Sequence, residues 1–171
     1  MLLGEKVKLR RIGKADLPRL WKWHETSELH IFKRPNYQIS YDELNECFYE
    51  YLGNSKDFLV EAGEITPVGI CSYKNILWKN RSCELSYTMN EKDPKQLFAL
   101  DALAIMIHFL FNELNIARIQ AVLPEFAAPE IFAFEKSGFI REGRLREHFY
   151  KDGGFKDVYV YVLFKNGFFT S

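Results

Sequence analysis

A few carboxylates and phenols carry the polar chemistry of this chain. Glu84 sits between the apolar Cys83 and Leu85 in the run NRSCELSYTMN, so on a strand its side chain faces away from theirs. With Glu147 and Asp157 it is a candidate general base, able to take a proton from an ammonium. Its structural alternative is an ion pair with Arg81 or Arg118. Tyr87 and Tyr150 are candidate proton donors, although aromatic rings at such spacings more often pack. Glu130 follows Pro129 and could act as an acid only with a raised pKa. A first-turn position favours its ionised form, so a helix-start role is the stronger reading. Trp23, His24, Tyr37 and Tyr73 combine an aromatic body with a polar tip, which suits a pocket for an amine. Each serves equally well as a core or rim residue.

These residues are positioned by the stretch from Asn80 to Phe139. A strand over Ser82–Met89 runs into a turn and then a long helix, about Pro94–Leu114. A strand over Ala117–Leu123 and a shorter helix ending at Gly138 follow. Strand, helix, strand is a βαβ unit, whose crossover favours the right hand. The start of its long helix presents unsatisfied N–H groups and the positive end of a dipole, which can hold an anion such as a pyrophosphate. Asp93 is its expected cap, Pro94 its first residue and Gln96 its capping-box partner. Leu97, Leu100, Ala104, Ile107, Phe111 and Leu114 are read as the apolar stripe. Asp101, His108, Asn112 and Asn115 form the polar one, which leaves His108 as a solvated surface residue.

Before this unit, Glu5–Arg11 alternates as a strand with one wet face, and Asp16 opens a helix to about Glu25. Thr26–Ile39 reads as a short helix and a loop. Ser-Tyr-Asp-Glu at 40–43 is a capping box for a helix to about Leu52, with Leu44, Cys47, Phe48 and Tyr51 on one face. Asp57–Ala62 and Pro67–Ile76 then pair, and with Ser82–Met89 they make an antiparallel meander. After the unit, Phe139–Tyr150 and Phe155–Phe164 form a hairpin across Lys151-Asp152-Gly153-Gly154, where the glycines favour the turn. The alternation of Val158, Val160 and Val162 with Tyr159, Tyr161 and Leu163 predicts a strand buried on both faces.

Composition excludes several classes. At 171 residues with 47% apolar content, one globular α/β domain over 1–171 is expected. Lys plus Arg equals Asp plus Glu, 23 each, so there is no overall field for nucleic acid or an anionic membrane. The longest apolar run, Leu97–Phe111, is too short to span a bilayer, and no targeting segment is visible, so a cytoplasmic setting is expected. The three cysteines, Cys47, Cys71 and Cys83, form no CxxC and read as reduced core residues. The four histidines lack metal-ligand spacing, so no metal is expected. The apolar end Gly167-Phe168-Phe169 is compatible with packing in a homodimer.

NRSCELSY, FNELNIARIQAVL, FEKSGFIREGRLRE and DGGFKDVYVYVL resemble the GNAT superfamily of acyl-CoA-dependent N-acetyltransferases, and within it the RimJ/RimL-type branch. The likeness covers nearly the whole chain and is most specific from Glu135 to Leu163. It implies a mostly antiparallel mixed sheet with one parallel βαβ unit and helices on both faces. It also implies acetyl-CoA as co-substrate, and a primary amine, on a small molecule or a peptide N-terminus, as acceptor. The amine would attack the thioester directly in a ternary complex. The backbone of Ser86–Met89, including Tyr87, Thr88 and Met89, would hold the pantetheine arm. The diphosphate would sit on the opening of the long helix, at Leu97, Phe98, Ala99, Leu100 and Asp101.

Two departures from the family pattern bear on this. In the family, the helix opens with Arg/Gln-x-x-Gly-x-Gly/Ala. The ungapped register puts that pattern on Pro94-Lys95-Gln96-Leu97-Phe98-Ala99, where only Ala99 agrees. Either a side-chain cap from Asp93 has partly replaced the phosphate, or a divergent loop still binds through the amides of Phe98, Ala99 and Leu100. The family's common asparagine, its serine or alanine, and its frequent tyrosine or other apolar residue fall on Ala127, Glu130 and Phe134, and phenylalanine has no proton to give a departing thiolate. The rival expectation is therefore a GNAT-like module that binds a ligand or protein without turnover.

Overall fold

The computed structural model describes residues 1–26, 41–46, 55–63, 66–89 and 96–168. Among them, eight strands form one sheet in the order β1-β2-β3-β4-β5-β6-β8-β7. The strands are β1 (Leu2–Leu3), β2 (Val7–Arg11), β3 (Lys56–Ala62), β4 (Thr66–Leu77), β5 (Ser82–Met89), β6 (Arg118–Pro124), β7 (Ile140–Lys151) and β8 (Gly154–Phe164). All neighbours run antiparallel except β5 and β6. The meander and the βαβ unit expected from alternation are both present. The β7–β8 turn sits on Asp152 and Gly153, whose φ angles are 52° and 79°. Positive φ at both central residues is what a tight hairpin turn requires, and an Asp-Gly pair tolerates it.

Helices cover both faces. α1 (Leu17–Thr26) follows a 3-10 turn at Lys14–Asp16, and α2 is Tyr41–Glu46. α3 is Leu97–His108, continued by a π turn at Phe109–Glu113; α4 is Ala128–Lys136 and α5 is Lys165–Phe168. α3 and α4 bury the main core with Phe58, Val60, Cys71, Tyr73, Cys83, Leu85 and Tyr87 of the sheet. α1 buries a smaller core on the other face with Ile12, Leu59 and Ile70. The π turn leaves the Phe111 carbonyl open to the Lys165 ammonium at 2.6 Å, which ties α5 to the end of α3.

The sequence misjudged two features of α3. The helix starts at Leu97, with Gln96 as its N-cap in the left-handed region (φ 55°, ψ 31°) and without a side-chain cap bond. Asp93 and Pro94 lie outside the described residues. The buried face is also rotated: Ala99, Ala102, Leu103, Met106 and Ile107 are inside, while Leu97 is 42% exposed and Ala104 is exposed. A helix apolar on nearly every side has no single stripe for periodicity to pick out, so the docking surface decides. His108 is exposed, as expected, and bonds Asn112 at 3.0 Å.

Candidate active site

The parallel pair is where the sheet opens. β5 and β6 pair at only three positions, Ser82–Arg118, Cys83–Ile119 and Glu84–Gln120, although the strands run on to Met89 and Pro124. On its other edge β6 pairs β8 from Arg118 to Pro124 without interruption. Two parallel strands that stop pairing but stay in one sheet leave a wedge, and strand edges in a wedge offer amide and carbonyl groups to an extended ligand.

Tyr87 spans that wedge. Its ring is buried, 5.7 Å from the ring of Phe134 on α4. Its hydroxyl lies 3.2 Å from Gln96 Oε1 at the start of α3 and 3.4 Å from the Pro129 carbonyl at the start of α4. Phe134 stacks edge-on against Phe139 at 4.9 Å, which fixes it as the floor. Tyr87 therefore lays its ring on Phe134 and its hydroxyl at the starts of α3 and α4. Thr88 and Met89 continue the wall of the wedge. Gly69 of β4 lets them approach: a Cβ there would lie 2.4 Å from the Thr88 carbonyl and 2.5 Å from the Met89 sulfur.

Several expected site residues are employed elsewhere. The Asp101 side chain is taken up by another segment of the chain. Its carboxylate accepts the backbone N–H groups of Glu5, Lys6 and Val7 at 3.3, 2.7 and 2.8 Å and pins the β1–β2 turn to α3. A carboxylate saturated by amides has little left for cofactor contacts. Glu84 pairs with Lys74 at 2.5 Å and accepts from Asn75 at 3.2 Å; neither Arg81 nor Arg118 is its partner. It also faces the side of the sheet opposite Tyr87, because the two are three residues apart on one strand. Tyr73 is core: it packs on Phe58 at 6.1 Å and Phe109 at 6.2 Å, and burial raises its pKa. Phe109 is at the far end of α3, about 20 Å along the axis from Gln96. Trp23 is buried in the smaller core under α1. His24 belongs to α1 with its side chain outside the described residues, as is all of Tyr37.

Asp157 is no base. The backbone N–H of Glu147 and then the Arg144 guanidinium hold its carboxyl below the ordinary range. Tyr150 sits exposed against Phe155 near the β7–β8 turn. Glu130 lies in the first turn of α4, next to Pro129. Leu97 faces solvent at the mouth of α3, Phe98 and Leu100 are half-buried, and Ala99 is fully buried. Cys71 and Cys83 are free and buried, and burial pushes both thiols up to about 12. Among the described residues no cluster of metal-ligating side chains forms.

Residues at the wedge fit an acyl-CoA. The ladder opens for an extended arm, and the N-cap side chain of α3 is turned to Tyr87 instead of capping the helix. The positive end of the α3 dipole faces the same mouth.

A mixed sheet, opened at its one parallel pair and faced by two helix N-termini, is the GNAT-like α/β acyltransferase fold. The sequence profile of the acetyltransferase (GNAT) domain matches residues 9–160, and the chain belongs to that family. It is an acetyl-CoA-dependent N-acetyltransferase. It is similar to the spermidine N(1)-acetyltransferase of Vibrio cholerae serotype O1, 24% identical over 164 residues that span 94% of this chain and 95% of the relative. An uncharacterized N-acetyltransferase, p20, of Bacillus licheniformis is 28% identical over 123 residues, 71% of this chain and 68% of the relative. Of solved structures, Vibrio cholerae spermidine N-acetyltransferase in complex with CoA and spermine superposes with a TM-score of 0.83 at 21% identity, covering 96% of this chain and 98% of that one. Its dodecameric form in an intermediate state gives 0.80 at 22% identity, covering 94% and 95%. No helix among the described residues is long and apolar enough to cross a membrane.

Proposed function

We propose that this enzyme acetylates a primary amine of a small molecule, a polyamine first among the candidates, and that Tyr87 protonates the departing thiolate. The observation that carries this reading is the Tyr87 hydroxyl, held at the mouth of the wedge between the starts of α3 and α4. The amine nitrogen forms a bond to the thioester carbonyl carbon, the C–S bond breaks with its electrons on sulfur, and Tyr87 gives its proton to that sulfur. The proton lost by the amine passes to solvent, from which the phenolate recovers one. The chemistry supplied by acetyl-CoA is the activated acyl carbon. The protein supplies orientation, through the β5 edge at Tyr87, Thr88 and Met89 and through the opening turn of α3 at Leu97, Phe98, Ala99 and Leu100.

No base is assigned, because Glu84 is already held by Lys74 and Asn75. Glu130 is kept as a helix-start residue in the first turn of α4. The polyamine choice draws on the relative whose name states its substrate. A peptide N-terminus, suggested by the RimJ/RimL-type likeness of Glu135–Leu163, is the second acceptor class. Self-association belongs to the same reading: β7 is the outer strand and exposes Ile140, Leu145 and Phe149, and sedimentation would detect it.

The test is CoA thiol release from acetyl-CoA with spermidine, spermine, monoamines and short peptides, for the wild type and Tyr87→Phe. Release with polyamines that falls about a hundredfold in Tyr87→Phe supports the assignment. A melting shift with acetyl-CoA but no release from any amine would move the chain to the binding-module reading.

A further inference from the structure

Gln96 is an odd residue for its place. It caps α3 in the left-handed region, which glycine and asparagine enter easily and glutamine does not. N-cap side chains usually accept an N–H from the first turn, yet this one makes no such bond and turns to the Tyr87 hydroxyl at 3.2 Å. Strained, specifically held residues of this kind gather at functional sites.

A phenol has one proton to donate, and Tyr87 faces two carbonyl-type oxygens, Gln96 Oε1 and Pro129 O. It cannot donate to both. Turning the Gln96 amide over resolves this: Nε2–H donates to Tyr87 Oη, and Oη–H donates to Pro129 O. In that arrangement the amide N–H sits on the oxygen that becomes negative when the proton leaves.

We infer that Gln96 is a positioning residue for acetyl transfer, which orients the Tyr87 hydroxyl through its side-chain amide and stabilises the phenolate as the proton passes to sulfur. The inference rests on the reading of Tyr87 as proton donor. It also links the two halves of the site. The residue that opens the helix facing the diphosphate is the one that aims the acid, so the start of α3 and the transfer step are mechanically one unit.

The test uses Gln96→Gly, which removes the amide and suits the left-handed backbone, and Gln96→Met, which keeps the length without the amide. Each is made in the wild type and in Tyr87→Phe, and CoA release from acetyl-CoA is measured with saturating spermidine. Both variants should lower kcat about tenfold in the wild type, leave KM for acetyl-CoA within about twofold, and cost nothing further in Tyr87→Phe. An equal loss in both backgrounds, or a loss confined to KM, would mean Gln96 only shapes the helix start and overturns the inference. An unchanged kcat in Tyr87→Phe alone would remove the acid and the inference with it. A second readout needs no acceptor. In protein labelled with ¹³Cζ-tyrosine, the Tyr87 resonance, assigned by its absence in Tyr87→Phe, should titrate about half a pH unit or more higher in both Gln96 variants. An unshifted titration would also overturn it.

Discussion

β6 has two edges, and they have opposite fates. Toward β8 it pairs along its full length, from Arg118 to Pro124; toward β5 it pairs at three positions and stops. A buried tyrosine stands beside each edge with its hydroxyl at α4. On the closed side, Tyr161 donates to the Glu135 carboxylate at 2.8 Å. Burial and that carboxylate push its pKa up to about 12, which makes it a poor acid. On the open side, the Tyr87 hydroxyl meets two neutral groups, the Gln96 amide and the Pro129 carbonyl. The same residue type is thus a structural bolt on one edge and a candidate acid on the other. The partner, and the gap in the ladder, make the difference.

The largest expected effect tests the floor of the open side. Phe134→Ala removes a fully buried ring that holds both Tyr87 and Phe139. It should cost about 3–5 kcal/mol in denaturant unfolding; a loss below about 1 kcal/mol would mean the floor is not packed as described. Next comes the pair of tyrosines. Tyr87→Phe should lower kcat about a hundredfold, some 2.7 kcal/mol in the transition state, with little change in melting temperature. Tyr161→Phe should do the reverse, costing about 1 kcal/mol of stability with kcat within about twofold. Equal effects on both quantities would erase the distinction between the edges.

Gly69→Ala tests whether the open wall binds the cofactor arm. The added methyl would press on the Thr88 carbonyl and the Met89 side chain and shift the end of β5. KM for acetyl-CoA should rise several-fold, more than kcat falls; an unchanged KM would place the arm elsewhere.

The smallest effect lies on the other side of the sheet and serves as a control. The Arg10 guanidinium, bonded at 2.6 and 2.8 Å, holds the Asp16 carboxyl below its ordinary 3.8. A carboxylate depressed in the folded state adds stability that is complete above the unfolded pKa and is lost as pH falls through the lower folded value. The melting temperature should therefore drop below about pH 4, and Asp16→Asn should flatten that drop without touching kcat.

Much of the scaffold was legible because strand alternation is local. Ser82–Met89 was read to the residue, and β4, β6, β7 and β8 to within a residue or two. Tyr87 was also visible, as a phenol on the strand expected to hold the cofactor arm. Trp23 and Tyr73 were not separable from pocket residues, because an aromatic with a polar tip looks the same in a core and on a rim. Asp101 looked like a residue of the phosphate-binding opening, since nothing nearby in sequence announces amides some 95 residues away.

The sequence alone determined the order of strands β2 to β8, the helices α1, α3 and α4 among them, and the family likeness, all of which depend on residue type and short spacing. Only the tertiary structure decided where the β5–β6 ladder ends, which face of α3 is buried, and that Gln96 and Pro129 meet at the hydroxyl of Tyr87. Those facts depend on contacts between segments far apart in the chain, and side-chain patterning along one segment carries no record of what another will bring against it.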